Sequence, residues 1–292
     1  MNLQPLFDEK IISQEELSPG YENHSSDVWL VKTVSREVIV RAFRSADEDD
    51  GPFWGGCRTT FGINPENVHA QECVNSILDR LTDIRIPRVI GKGVLDREYI
   101  IVEKLDGSML TTFNGQSEEM LYSLGVGLGQ IHQKRMNYIG NPQGRFRVEL
   151  DRFREHLICA MENMVERYYS DDDKIVSALP ELSNLVRELP LPEWTSFILV
   201  DMDPTQFLTD GKVVTGLVDT EAYAVGPREL DLVALEYVLD QESGENFIKG
   251  YETVLDIPNL DKSRTVYRYL YRLIEIQGRE DLDGWLNYPI LF

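Results

Sequence analysis

The residues best placed to do chemistry are two aspartates, each at the end of an apolar run. Asp201 follows Phe197-Ile198-Leu199-Val200, and Asp219 follows Val213-Val214-Thr215-Gly216-Leu217-Val218. Between them, Thr209-Asp210-Gly211-Lys212 has the composition of a tight turn. Two short strands joined by that turn would carry one carboxylate beyond each strand. Such a pair suits a divalent cation and a base, one carboxylate holding Mg²⁺ and the other orienting a hydroxyl nucleophile. A lone D-x-D such as Asp201-Met202-Asp203 is ordinarily a surface turn. The ordered set of Asp201, Pro204, Asp219 and Asp231 sets this stretch apart from one.

The elements around these residues divide into strands first and helices later. Residues 1–16 read as a polar, partly helical lead-in that ends at Leu17-Ser18-Pro19-Gly20. Strands are expected at Val28-Trp29-Leu30-Val31 and over 37–43, preceded by a loop with a single glycine, Gly20. The stretch 45–67 reads as a loop, with the acidic run Asp47-Glu48-Asp49-Asp50 and exposed aromatics Phe53 and Trp54. From Pro65 onward, Val68, Cys73, Val74, Ile77, Leu78 and Leu81 fall at helix-face spacing. Two further strands follow at 86–90 and 98–107.

After Asp106-Gly107 the periodicity becomes helical, over 118–134, 149–169 and 174–189, the last interrupted near Pro180. Gly125, Gly127 and Gly129 weaken the first of these and point to close packing against a neighbour. No strand precedes them, so they make no dinucleotide fingerprint. His132, at the end of that helix, reads as a packing residue. Beyond the central stretch, helices are expected over 230–239, 245–255 and 263–277.

Composition sets limits on partners. The 292 residues carry 50 acidic against 29 basic side chains, a formal net charge of −21, which argues against nucleic acid or an anionic membrane as the main partner. A hydrophobic content of 42% supplies a folded core. No apolar run approaches a membrane span, and Met1-Asn2-Leu3-Gln4 does not open a signal peptide. Cys57, Cys73 and Cys159 are odd in number and far apart, so reduced thiols in the cytoplasm are expected.

The order of features resembles the aminoglycoside phosphotransferase family, relatives of the protein kinases. The family's His-Gly-Asp-Leu-His-Pro-Gly-Asn-like segment falls on Leu199-Val200-Asp201-Met202-Asp203-Pro204-Thr205-Gln206, and its following Asp on Asp219. Gly226-Pro227-Arg228-Glu229-Leu230-Asp231-Leu232 is similar to its Gly-Asp-Pro-x-x-Asp-Leu stretch. The resemblance implies an α+β, two-lobed, protein-kinase-like fold. A sheet-rich nucleotide-binding lobe would span 1–105 and a mostly helical lobe with the catalytic hairpin and substrate site 106–292.

By that resemblance Asp201 is the catalytic aspartate, Asp219 and Gln206 bind Mg²⁺, and Asp231 is a structural acid beneath the loop. Arg41 stands where the family carries a lysine that contacts nucleotide phosphates, and Glu72 where it carries that lysine's partner, so a Glu72–Arg41 ion pair is expected. The carbonyl of Glu103 and the amide of Leu105 would meet the nucleotide base. The implied reaction moves the γ-phosphate of ATP or GTP to a hydroxyl of a small, cationic or hydroxylated molecule.

Arg41, Leu199, Gln206 and the glycine-poor loop depart from the family pattern. They leave open a second reading, a kinase-like protein of weak or no activity that binds nucleotide or another partner. A metal-dependent hydrolase using Asp201 and Asp219 is a third.

Overall fold

The computed structural model describes residues 1–17, 26–44 and 51–292. Its N-terminal part is an antiparallel sheet of β1 (Ile11–Glu16), β2 (Ser26–Thr33), β3 (Glu37–Phe43), β4 (Val89–Val94) and β5 (Glu98–Glu103), in the order β1-β2-β3-β5-β4. Side chains alternate across a strand, so the two faces of β3 meet different surroundings. Val38, Val40 and Ala42 join Trp29, Val31, Tyr99 and Ile101 in a small core on one face. Ile39, Arg41 and Phe43 point the other way, toward the main core, to which Ile39 and Phe43 belong. That alternation is what carries a charged residue, Arg41, inside.

Between β3 and β4 lie α1 (Gly51–Phe61) and α2 (Gln71–Leu78). After β5 come β6 (Ser108–Met109), α3 (Glu118–His132), β7 (Tyr138–Gly140), β8 (Arg147–Glu149), α4 (Phe153–Tyr168) and α5 (Asp173–Glu188). The chain then runs through β9 (Ser196–Leu199), β10 (Phe207–Thr209), β11 (Val214–Leu217) and β12 (Tyr223–Gly226). It finishes in α6 (Glu229–Leu235), α7 (Gln241–Tyr251), α8 (Arg264–Ile274) and α9 (Leu282–Leu286). The short strands make two small sheets, β11-β10-β6 and β8-β7-β12-β9. The fold is therefore α+β, a five-stranded sheet followed by a largely helical part. Among the described residues no helix is long and apolar enough to cross a membrane.

Local chemistry sets the helix boundaries. Ser117 caps α3 by accepting from the Met120 N–H at 3.2 Å, and Glu118 and Glu119 sit in its first turn. Met120, Leu121, Leu124, Leu128 and Ile131 form its buried stripe.

Several expectations need correcting. The lead-in is not helical beyond a single 3₁₀ turn. Residues Ile11–Glu16 pair with β2 as an edge strand, and because nearly all their side chains face solvent they carry no apolar alternation to read. The stretch expected as a loop contains α1, whose Trp54 is buried edge-on to Phe43 and Phe53. Gly55 obscures the helix in sequence but is required in space, since a Cβ there would stand 1.9 Å from the Tyr168 hydroxyl. α5 runs unbroken through Pro180, held by its buried Ile175, Leu182 and Val186. The first of the two expected strands is not in the hairpin: β9 pairs with β12, and the hairpin is β10–β11. The loop expected over 20–25 and the acidic run over 47–50 lie outside the described residues.

The crossing of α3 and α7 yields a test. A Cβ on Gly125 would lie 2.1 Å from the Phe247 carbonyl oxygen and 2.7 Å from the Tyr251 nitrogen, both backbone atoms that cannot swing aside. In an open helix Gly→Ala would stabilise by about 1 kcal/mol. Here the overpacking dominates, and Gly125→Ala is expected to cost about 1–3 kcal/mol, read from the urea unfolding midpoint. A raised midpoint would refute the close crossing.

Candidate active site

Two strand pairings assemble the site. β9 and β12 are antiparallel with Leu199 opposite Tyr223, so Asp201 and Glu221, two residues beyond each, emerge at the same end of the ladder. β10 and β11 pair Phe207 with Leu217, and the Val218 N–H donates to the Gln206 carbonyl at 2.8 Å, setting Gln206 beside Asp219. The turn between β10 and β11 is fixed by Asp210 Oδ1, which accepts from the N–H groups of Lys212 at 2.9 Å and Val213 at 3.0 Å. Asp203 is spent in the same local way, its Oδ1 accepting from the Thr205 N–H at 2.7 Å and hydroxyl at 2.6 Å.

Beneath the loop, Asp231 is fully buried and its Oδ2 accepts from the Leu199 N–H at 2.8 Å. His132 Nε2 lies 3.1 Å from the same oxygen, and its Nδ1 lies 2.9 Å from the Tyr251 hydroxyl. His132 thus ties α3 to α6 and α7 and has no access to solvent. Burial pushes Asp231 up, against the pull of His132 and the Leu199 amide.

In the site itself, Gln206 Nε2 donates to Asp201 Oδ2 at 2.8 Å. Arg41 Nη2 lies 2.9 Å from Asp219 Oδ1 and 3.1 Å from Glu221 Oε1. The Ser26 hydroxyl donates to Glu221 Oε2 at 2.7 Å. The expected Glu72–Arg41 pair is not formed. α2 turns Gln71, Val74, Asn75 and Leu78 inward, which leaves Glu72 on the solvent side, paired with Lys92. The inward tie of α2 is Asn75, which accepts from the Thr220 hydroxyl and donates to the Pro87 carbonyl at 2.8 Å.

Glu103 ends β5 with its carboxylate on Arg85 at 2.8 Å and Arg88 at 3.2 Å, apart from the acidic cluster, and Leu105 follows as a buried residue. Glu221, Ser26 and Asn75 are site residues that the motif pattern did not single out. A signal for Glu221 existed: Asp219-Thr220-Glu221 puts two acids on one side of an extended chain.

With this geometry in view, comparison with known proteins is informative. The model of the phosphotransferase enzyme family (APH) matches residues 16–265. The chain belongs to this family. No curated protein gives a significant match. Among solved structures, the macrolide 2′-phosphotransferase of Brachybacterium faecium, an apoenzyme, is similar at 15% identity and a TM-score of 0.58, with 97% of this chain and 95% of that one covered. Aminoglycoside 2′-phosphotransferase-IIIa in its GDP complex gives 15% identity and a TM-score of 0.60 over 96% and 90% of the two chains. Spectinomycin phosphotransferase with ADP and spectinomycin gives 13% and 0.58 over 98% and 91%. At these identities the likeness establishes the fold.

The APH-family site is electrostatically unbalanced. Burial works against the Arg41 charge, but Asp219 and Glu221 outweigh it and hold the guanidinium firmly protonated. Glu221 is raised by its own burial, with Arg41 opposing. Burial together with Asp219 and Asp203 pushes Asp201 up to about 8, although the Gln206 hydrogen bond pulls the other way.

A hard cation fits this excess of acid. Gln206 Oε1 is buried with no hydrogen-bond partner among the described residues, and the Asp219 side chain is 42% exposed. An amide oxygen and a carboxylate are the oxygen ligands Mg²⁺ takes. Among the described residues no group of three or more His, Cys, Asp or Glu is arranged to hold a metal ion. Mg²⁺ here would therefore need phosphate oxygens as further ligands, its usual manner of binding.

The raised Asp201 has a consequence for stability. Its ordinary value is about 3.9, so between roughly pH 4 and pH 8 the folded state holds a proton that the unfolded state has lost. Stability from this group is present at low pH and is lost as pH rises through that window. The fall in urea midpoint from about pH 5 to about pH 8 should be steeper in the wild type than in Asp201→Asn. Parallel profiles would show that Asp201 titrates in its ordinary range.

Proposed function

We propose that this APH-family protein is a small-molecule kinase that transfers the γ-phosphate of ATP or GTP to a hydroxyl of a small, polar or cationic acceptor. Residues 1–105 would form the nucleotide lobe and 106–292 the lobe carrying the acceptor site. The observation that carries the reading is the convergence of Asp201, Gln206, Asp219 and the buried Arg41 on one acidic cluster. Mg²⁺ held by Asp219 and Gln206 would supply neutralisation of the phosphate charge.

The chain's own residues supply the rest. With a cation offsetting the neighbouring acids that raise it, Asp201 would ionise. As a carboxylate it accepts the proton of the acceptor hydroxyl as its oxygen bonds to the γ-phosphorus and the bond to the β-phosphate oxygen breaks. Gln206 holds the Asp201 carboxylate in orientation. Arg41 faces the phosphates with a fixed positive charge. Glu103, which ends β5, and Leu105 just beyond it would offer backbone groups to the base. A cavity of about 200 Å³ beside the cluster, bounded by Gln71, Asn141, Arg145, Thr220 and Glu221, gives a hydroxylated molecule polar partners. The three cysteines are unpaired, which fits the reducing cytoplasm.

One observation favours the second reading, a nucleotide- or ligand-binding protein without turnover: Arg41 already occupies an oxygen of Asp219. The two readings separate by experiment. Thermal unfolding with ADP or GDP, each with and without Mg²⁺, should show a Mg²⁺-dependent rise, about 2.7 kcal/mol at a hundred times the dissociation constant. With ATP or GTP and a panel of hydroxylated amines, Asp201→Ala should abolish phosphoryl transfer but keep the shift, whereas Asp219→Ala should lose the shift as well. Full turnover by Asp201→Ala would end the assignment, and a shift without transfer in the wild type would favour the binding reading.

A further inference from the structure

Building on the phosphotransferase reading, we infer that Glu221 is the positioning residue of Arg41: it fixes the phosphate-facing guanidinium, and no acid on α2 does so. The two carboxylates on Arg41 are not equivalent. Asp219 is 42% exposed and must turn an oxygen toward a cation on the nucleotide, whereas the Glu221 side chain is 7% exposed. The other oxygen of Glu221 is fixed by the Ser26 hydroxyl at 2.7 Å, on the first residue of β2. Held from both sides, Glu221 can keep Arg41 in place when Asp219 is drawn away. A buried guanidinium held by Asp219 alone would lose its anchor on nucleotide binding, at the cost of an unpaired charge.

The planar fork of arginine suits this arrangement, since one nitrogen can meet two acids while the group still faces a phosphate. α2 offers no substitute. Its inward side chains are Gln71, Val74, Asn75 and Leu78, and Glu72 is engaged by Lys92 at the surface. The phosphate-facing cation and the metal-side carboxylate therefore depend on one segment, Asp219-Thr220-Glu221, and move with it. α2 bears on Arg41 through Asn75, which accepts from the Thr220 hydroxyl of this segment, and not through an acid of its own.

Calorimetric titration of Mg²⁺–ADP and Mg²⁺–GDP tests this directly, with ligand-free unfolding of each variant measured beside it. Glu221→Gln should weaken nucleotide binding roughly tenfold or more, as removal of one partner of a buried charge pair does. Glu72→Gln should change it by less than about twofold, as expected of an exposed pair. In an Arg41→Met background Glu221→Gln should have little further effect, the non-additivity that a shared role requires. If Glu221→Gln does not fold, Ser26→Ala, which removes one hydrogen bond, should weaken binding in the same direction by a smaller factor.

Wild-type affinity in Glu221→Gln or in Ser26→Ala, an equal loss in Glu72→Gln, or additivity in the cycle would overturn the assignment while leaving the phosphotransferase reading in place. Failure of the wild type to bind either nucleotide would overturn both.

Discussion

Arg41 is carried into the interior on the core-facing side of β3, and a charge in that position must be met by another. Asp219 and Glu221 meet it. For them to do so, the segment between β11 and β12 has to rise against the N-terminal sheet. β12 is in turn fixed by β9, whose end delivers Asp201. One buried ion cluster thus joins the sheet to the helical part and sets the spacing of the acids. It holds more acid than base, so the proton on Asp201 reflects the same arrangement seen electrostatically.

A second buried contact holds the other side of the loop. Asp231 takes the Leu199 amide and His132 together, binding the end of β9 to α3 and α6. Because the donor at Leu199 is its backbone, the side chain at that position is free to be apolar, and it is fully buried. A departure from the family pattern at Leu199 therefore leaves the anchor under the loop intact. Gln206 is a different case, since its side-chain amide works directly, donating to Asp201 and presenting an oxygen without a partner among the described residues. Departures of equal weight in sequence thus differ in consequence according to whether side chain or backbone does the bonding.

What was legible in the sequence was local. The apolar runs before Asp201 and Asp219, the Asp210-Gly211 turn and the amphipathic helices follow from side-chain chemistry over a few residues. What was not legible depended on distant partners. β1 gains its strand form from pairing with β2 and shows solvent five polar or exposed positions after its first. α1 is masked by glycines that serve its contact with α4 and α8. The partner of Arg41 could not be read from spacing, because the rotation of α2 is decided by its apolar face and by Asn75 on Thr220. β12 is short and wholly buried, without an alternation to announce it, yet its register with β9 places two of the acids.

The kinase and binding readings differ at one point, whether Asp219 can release its oxygen from Arg41. If Asp219 were the guanidinium's only partner, turning toward a cation would strand a buried charge, a loss on the order of 3–5 kcal/mol that nucleotide binding would have to offset. In the kinase reading Glu221 would remove most of that obstacle, since the guanidinium would stay paired with a protein acid while Asp219 turns. The extra acid, which gives the cluster more acid than base, would then be what allows Asp219 to move. Charge imbalance among these acids and, in the kinase reading, readiness to accept a cation with its phosphates would be two aspects of the same placement of Glu221.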